Sequence, residues 1–390
     1  MSSELLYLDN NATTQVDPAV VAAMMPWLSE QYGNPSSAYR LGKAAARAVA
    51  HAREQVAALI GADPSEILFT SCGTESINAA IHSASSHSLD HTHVITSTVE
   101  HSATLKLTEQ MAKRGFEITR LGVDSQGHLD LAKLDKAVRT DSAIVSLLWA
   151  NNETGVLFPV QKIAELCHAK RVPFHVDAVQ AVGKIPVNVA ELGVSMLSLS
   201  GHKLHAPKGV GALFISKRLK FNPLLRGSQE STRRGGTENV ASIVAMGQAA
   251  EIAREHIAEE QTRVRRFRDE FEQAILARVP GTEVNGDPLE RLPNTSNLSF
   301  EGIESEGALI LLDERGVCCS AGSACTSGSV HPSHVLKGMG MSNERARASL
   351  RFSFGRFNRA EEIPKAIEAV VNVVTKLREL NPVGPVIVSA

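Results

Sequence analysis

From residue 66 to residue 215 the chain alternates short apolar runs with helical stretches, and most of the runs end in a glycine or polar turn. That alternation leaves few folds open. Runs of this kind align as a mostly parallel sheet with helices on both faces, because the strand–helix–strand crossover has one favoured hand. The pattern predicts strands at 66–70, 94–97, 115–121, 143–148, 172–176 and 194–199, with helices at 77–83, 130–138 and 160–171. Ahead of it lie a helix at 18–28 and an Ala-rich helix at 39–60, stopped by Gly61. After it, 240–279 reads as almost continuous helix with a charged, solvated centre at 254–268. From residue 280 the texture changes to strand 295–300, helix 305–315, strand 348–354 and helix 363–380, a small α+β domain. The expected division is an N-terminal arm (1–15) joining the small domain, a large domain (16–255), a small C-terminal domain (256–380) and a tail (381–390).

Composition narrows the partners. A formal net charge of −2 over 390 residues gives no electrostatic argument for nucleic acid or membrane. Nothing at residues 1–10 resembles a signal peptide, and no apolar run is long enough to span a bilayer. The five cysteines, Cys72, Cys167, Cys318, Cys319 and Cys325, are odd in number and sparse. That argues for a reducing compartment, the cytoplasm, and against a disulfide framework. With no Cys-x-x-Cys or His-Glu-x-x-His, no intrinsic metal site is expected.

Chemically capable residues collect where the strands end, the edge at which ligands bind in open α/β sheets. Ser71-Cys72-Gly73-Thr74 turns a strand into a helix, a natural anion site, although Thr74 or Ser71 could equally be an ordinary cap. His101, Asn152, Asp177 and Gln180 follow three other strands. The apolar run 194–199 leads into Ser200-Gly201-His202-Lys203. A lysine beside a buried strand needs a reason, and covalent attachment of the aldehyde of pyridoxal phosphate (PLP) supplies one. Lys208, in a Pro-Lys-Gly turn, is the rival, and a plain surface lysine is the other reading of Lys203. The basic loop around Arg226, Arg233 and Arg234 brings Thr237, either a further phosphate contact or a solvated turn.

A second reactive feature lies in 318–329, a run of small residues with no periodicity. Cys325 in its middle is poorly explained as core and is a candidate nucleophile, whereas Cys72, Cys167, Cys318 and Cys319 read better as packed. Arg351 in the last strand could grip a carboxylate through its fork or serve a structural salt bridge.

Taken in order, these motifs resemble the cysteine desulfurases of the class V PLP aminotransferases. The matching segments are Tyr7-Leu8-Asp9-Asn10-Asn11-Ala12-Thr13-Thr14, Thr70-Ser71-Cys72-Gly73-Thr74-Glu75-Ser76, Glu100-His101 and Asn151-Asn152-Glu153-Thr154-Gly155. His175-Val176-Asp177-Ala178-Val179-Gln180, Ser200-Gly201-His202-Lys203, Gly322-Ser323-Ala324-Cys325-Thr326-Ser327 and Arg351-Phe352-Ser353 complete them. Trp149-Ala150-Asn151-Asn152, the 202–208 stretch and Leu224-Leu225-Arg226-Gly227 look most like the nitrogen-fixation, NifS-like branch. The Cys318-Cys319 pair departs from the family, where small residues are expected.

The resemblance implies a fold-type I PLP enzyme that converts L-cysteine to L-alanine and passes the sulfur to Cys325 as a persulfide. It implies that Lys203 holds PLP, Asp177 faces the pyridine nitrogen, and His101 stacks on the ring and shuttles protons. Asn152 and Gln180 bond the ring oxygen. Gly73, Thr74, Ser200 and His202 hold the phosphate, with Thr237 from the other subunit of a homodimer. Arg351, with Asn152, binds the substrate. The partners it implies are an iron–sulfur scaffold or other sulfur acceptor, where Cys325 could contact a nascent cluster. The competing readings are a PLP lyase or transaminase acting on another amino acid, and a non-catalytic sulfur-relay or scaffold protein.

Overall fold

The computed structural model describes residues 5–87, 91–321 and 332–380. A first short strand, β1 (Leu6–Tyr7), stands apart from the main sheet. Seven strands then build that sheet: β2 (Ile67–Thr70), β3 (His93–Ser97), β4 (Glu117–Leu121), β5 (Ser142–Leu148), β6 (Phe174–Asp177), β7 (Met196–Ser200) and β8 (Gly211–Ile215). Their order is β2-β8-β7-β6-β5-β3-β4. Only β8 runs antiparallel, against both β2 and β7, so the other six strands all end on one edge. Strands covered on both faces read as continuous apolar runs rather than alternation, and every residue of β5 and β7 is buried. Alternate side chains feed two cores. Ile67 and Phe69 join one, with Val145, Leu147, Leu197 and Leu199, while Leu68, Val94, Ile144 and Met196 join the helix Gly73–Ser85 in the other.

Sequence and structure part at a few boundaries. The expected helix at 18–28 is two pieces, Pro18–Met24 and Pro26–Ser29, because Pro26 cannot continue the first. The helix expected from 77 begins at Gly73, since its first turn, Gly-Thr-Glu-Ser, carries no apolar period. A helix Ser102–Ala112, with His101 at its N-cap, adds to the expected set. The long 240–279 stretch is two helices, Val240–Glu259 and Arg265–Arg278, joined by a π turn at Glu260–Val264. Gly61 ends Arg40–Ile60 at φ +66°, a left-handed conformation that suits glycine.

The remaining strands are β9 (Thr282–Val284), β10 (Thr295–Phe300), β11 (Val317–Cys318), β12 (Ser320–Ala321) and β13 (Ser349–Ser353). They form an antiparallel sheet in the order β12-β13-β10-β9, while β11 pairs in parallel with β1. Phe271 sits at the centre of this second core, its ring 4.7 Å from Phe352 and 5.5 Å from Phe354. Leu6 and Leu8 join it, which anchors the N-terminal segment here. Val335, Leu336, Met339 and Met341 instead pack into the core of the central sheet. The chain therefore crosses between the two sheets several times, and the segment 9–14 passes directly over the edge where the parallel strands end, bonding Ser353 on one side and His202 on the other.

Candidate active site at the sheet edge

A cavity of about 380 Å³ opens at that edge. Gly73, Thr74, His101, Asn152, Asp177, Gln180, Ser200, His202, Lys203 and Arg351 all line it. Five strand ends separated widely in sequence thus deliver their polar residues to one place. Thr237 is exposed and is not among the lining residues of this single chain, and Cys325 lies outside the described residues. A cavity of about 520 Å³ at the opposite edge, near Cys167, Arg171 and Phe214, holds none of these groups.

One end of the active cavity is built for an anion. The helix Gly73–Ser85 starts there with Cys72 at its N-cap, which makes no side-chain capping bond, so first-turn N–H groups remain available to a ligand. A Cβ on Gly73 would sit 2.8 Å from Val179 Cγ2, so glycine is required for the close approach. Ser200 Oγ is buried with no hydrogen-bond partner among the described residues. His202 Nδ1 lies 3.1 Å from Thr13 Oγ1. Burial, reinforced by Lys203, pulls His202 down to about 4, so it is neutral at pH 7 and Nε2–H can donate when Nδ1 takes the Thr13 hydroxyl proton.

The other end presents a carboxylate, an imidazole and a lysine. Asp177 closes β6, and its Oδ1 accepts the Val179 N–H at 3.0 Å. Burial lifts its carboxyl above the usual range, while His101 and Lys203 pull the other way. It is a buried acid that a cationic partner would hold ionised. His101 Nδ1 accepts the Ala103 N–H at 3.1 Å, which leaves the proton of the neutral ring on Nε2. Burial holds His101 below the ordinary histidine value, opposed by Asp177 and assisted by Lys203. Lys203 Nζ donates to the carbonyls of Asn11 at 2.5 Å and Ala12 at 2.6 Å. Lys208, its rival, is exposed in a turn and does not line the cavity. Arg351 makes the structural salt bridge. Its Nη2 pairs with Asp9 Oδ1 at 2.7 Å and its Nη1 donates to Asn152 O at 2.9 Å, yet Nε has no partner among the described residues.

The unpartnered serine, the glycine-built helix start, the buried acid and the cavity lysine fit PLP, which carries a phosphate, a ring nitrogen and an aldehyde. These features are complementary to all three groups at once, and the Ser200 hydroxyl, without a partner among the described residues and beside the helix start, is available to a phosphate.

Four further residues around the site carry no role in the sequence reading, although Asp9, Asn11 and Glu100 stand in the matched segments. Asp9 and Asn11 come from the arm, and Asn11 touches Gln180, Lys184, Lys203, Thr295 and Asn294. Lys184 is buried behind the cavity, and its only advance signal is a lysine between apolar Val182 and Ile185. Glu100 accepts from Ser97 Oγ at 2.6 Å and from the Leu148 N–H at 2.9 Å, joining β3 to β5 where their pairing has ended. Burial pushes Glu100 up to about 8.

The described cysteines separate by position. Cys167 is buried and its thiol is pushed up to about 12 by burial. Cys318 and Cys319, also expected to be packed, are half-buried, with Cys319 against the second core, and burial raises both thiols, with Asp313 and Asp9 adding to the first and Asp9 to the second. Cys72, expected to be packed, is half-buried and lines the cavity, because the close turn at Gly73 brings it to the surface of the site.

Residues 6–365 match the family model described as Aminotransferase class-V. A cysteine desulfurase of Trichormus variabilis is 50% identical, covering 97% of this chain and 95% of that protein. Cysteine desulfurase NifS of Azotobacter vinelandii is 49% identical, covering 97% and 94%. Among solved structures, a protein titled as NifS-like superposes with a TM-score of 0.90 at 35% identity, covering 96% of this chain and all of its own. A structure titled SspA in complex with cysteine gives a TM-score of 0.81 at 33% identity, over 91% of this chain and 100% of that one. With the sheet, the cavity and near-full-length similarity in agreement, the chain belongs to the class V aminotransferase family, among its cysteine desulfurases.

Proposed function

We propose that this protein is a PLP-dependent cysteine desulfurase that converts L-cysteine to L-alanine and passes the sulfur to Cys325. The observation that carries the reading is the convergence of Lys203, Asp177 and the unpartnered Ser200 in one cavity, in a chain about half identical to cysteine desulfurases over nearly its whole length. PLP, when bound, supplies an electron sink for the bonds around the substrate α-carbon. Lys203 would hold it through Nζ. Asp177 would face the ring nitrogen and keep a proton there. Gly73 and Thr74 would give backbone N–H groups to the phosphate, joined by the Ser200 hydroxyl and His202. Gln180 and Asn152 would bond the ring oxygen.

The substrate's carboxylate would lie against Arg351, whose Nε is unfilled and whose guanidinium is held in place by Asp9 and Asn152 O. His101, which lines the cavity and is held below the ordinary histidine value with its ring proton on Nε2, is suited to moving protons at the amino group and α-carbon. The Cys325 thiolate attacks the substrate sulfur. The carbon–sulfur bond breaks, the sulfur stays on Cys325 as a persulfide, and protonation of the three-carbon fragment gives alanine. The raised thiols of Cys167, Cys318 and Cys319 disfavour thiolate at those three positions, while Cys72, which lines the cavity, is the alternative that a Cys72→Ser variant, expected to keep sulfide release, removes.

The same reading extends to assembly and setting. A second copy would bring Thr237 to the phosphate, and the exposed Val21, Met25, Leu28, Tyr32, Leu224 and Leu225 offer apolar surface for a homodimer. The units 1–15, 16–255, 256–380 and 381–390 would act as arm, cofactor domain, small domain and tail. The persulfide would supply iron–sulfur cluster assembly in the cytoplasm, that of nitrogenase in view of the similarity to NifS. The test is incubation of the PLP-loaded protein with L-cysteine. Alanine and, with a reductant, sulfide should form in equal amounts without added keto acid. Pyruvate, or a requirement for a keto acid, would point to a lyase or a transaminase instead.

A further inference from the structure

Behind the cofactor cavity lies a small second cavity of about 30 Å³, bordered by Lys184, Lys203, Glu260 and Arg356. Lys184 is 5% exposed. A lysine this deep rarely goes without partners, and its partners are two amide oxygens: Gln180 Oε1 at 2.7 Å and Asn11 Oδ1 at 3.2 Å. We propose that Lys184 is a positioning residue that sets the orientation of the Gln180 amide, so that Gln180 offers an N–H rather than a carbonyl to the ring oxygen of PLP. The proposal rests on the placement of Gln180 at that oxygen.

The argument is one of hydrogen-bond inventory. An ammonium donates and cannot accept, so the side of Gln180 that faces it must be the oxygen. The nitrogen is thereby turned to the other side. There Nε2 gives one hydrogen to Asn11 O at 2.9 Å, which leaves its second hydrogen for the cavity that Gln180 lines. Without the lysine the two ends of the amide are nearly equivalent in shape and only the Asn11 carbonyl still opposes a flip, which would set a carbonyl against the ring oxygen, acceptor against acceptor. Asn11 is fixed by the same clamp. Its Oδ1 receives Lys184 Nζ and Asn294 Nδ2 (3.1 Å), so its Nδ2 is left to donate to Thr295 Oγ1 at 2.8 Å, and its carbonyl stays in place for Lys203 Nζ.

The experiment is a double-mutant cycle read by PLP affinity rather than turnover. Dissociation constants are measured by equilibrium dialysis for wild type, Lys184→Met, Gln180→Leu and the double variant. Unfolding of each PLP-free protein is followed alongside. Burial pulls Lys184 down to about 7, so the measurements are made at about pH 6, where the ammonium form prevails. Lys184→Met should weaken PLP about 10-fold in the wild-type background, the loss of one hydrogen bond's worth, and less than about 2-fold when Gln180 is already leucine. An equal loss in both backgrounds, or none in the first, overturns the proposal. If Gln180→Leu itself leaves affinity unchanged, the placement of Gln180 falls and the proposal falls with it. If Gln180→Leu weakens PLP while Lys184→Met adds independently, only the proposal falls. Should Lys184→Met fail to fold, Lys184→Gln is read by the same two-background comparison.

Discussion

Ser200→Ala should have opposite effects on the empty and the loaded protein. Ser200 ends β7 with its backbone in the sheet and its Oγ buried, and no described residue hydrogen-bonds to that oxygen. A buried hydroxyl without a partner costs about 1–3 kcal/mol. Removing it leaves a methyl beside Gly73, so the PLP-free protein should gain about 1 kcal/mol of stability rather than lose it. In the loaded protein the same hydroxyl would donate to the phosphate, and a hydrogen bond to a charged group is worth about 1.5–3 kcal/mol. At about 1.4 kcal/mol per factor of ten, PLP affinity should fall roughly 10- to 100-fold. Denaturant unfolding of the PLP-free protein gives the first quantity and dialysis against PLP gives the second. A variant that is less stable when empty, or one that binds PLP as wild type does, refutes the assignment of Ser200 to the phosphate.

Three further outcomes follow from the same geometry. Asp177→Asn should keep PLP but lose most of the turnover, about 100-fold or more, because the ring proton loses its charge partner; activity within a few-fold of wild type would remove Asp177 from that role. Lys203→Ala should abolish the visible absorbance of the bound cofactor while Lys208→Ala, at an exposed turn, should leave it; the reverse result would exchange the two lysines. Cys325→Ser should still bind PLP and L-cysteine yet release no sulfide, since a hydroxyl's proton is held far too tightly at neutral pH. Mass spectrometry of the wild type after L-cysteine should place the added sulfur on Cys325, and its first appearance on Cys318 or Cys319 would make that pair the working site.

How much of this was legible beforehand depends on the kind of interaction. The strands β5 and β7 are legible because a strand buried on both faces is mostly apolar, broken here only by serines, and polar residues stand at or soon after the end of each. Asp177, Ser200 and Lys203 could therefore be named from local pattern, with a parallel sheet sending their strand ends to one edge. Family resemblance then assigned their chemistry. The first turn of the helix at Gly73 falls outside the expected helix because its Gly-Thr-Glu-Ser run carries no apolar period.

The rest is set by distance along the chain. Arg351 meets Asp9 across 342 residues, Asn11 meets Lys203 across 192, and Lys184 meets Asn11 across 173. None of these pairs has a periodic signature, since a hydrogen bond between two remote segments imposes no pattern on either one. The sequence by itself determined the alternating sheet and the identity of the groups along its edge. Only the tertiary structure decided that the arm 9–14 lies over that edge, that Arg351 pairs with Asp9 while its Nε has no partner among the described residues, and that Gln180 turns its oxygen to Lys184 and its nitrogen to Asn11. The physical reason is that local residue patterns report burial against a nearby face, whereas the orientation of a polar group is fixed by whichever donor or acceptor the fold brings to it.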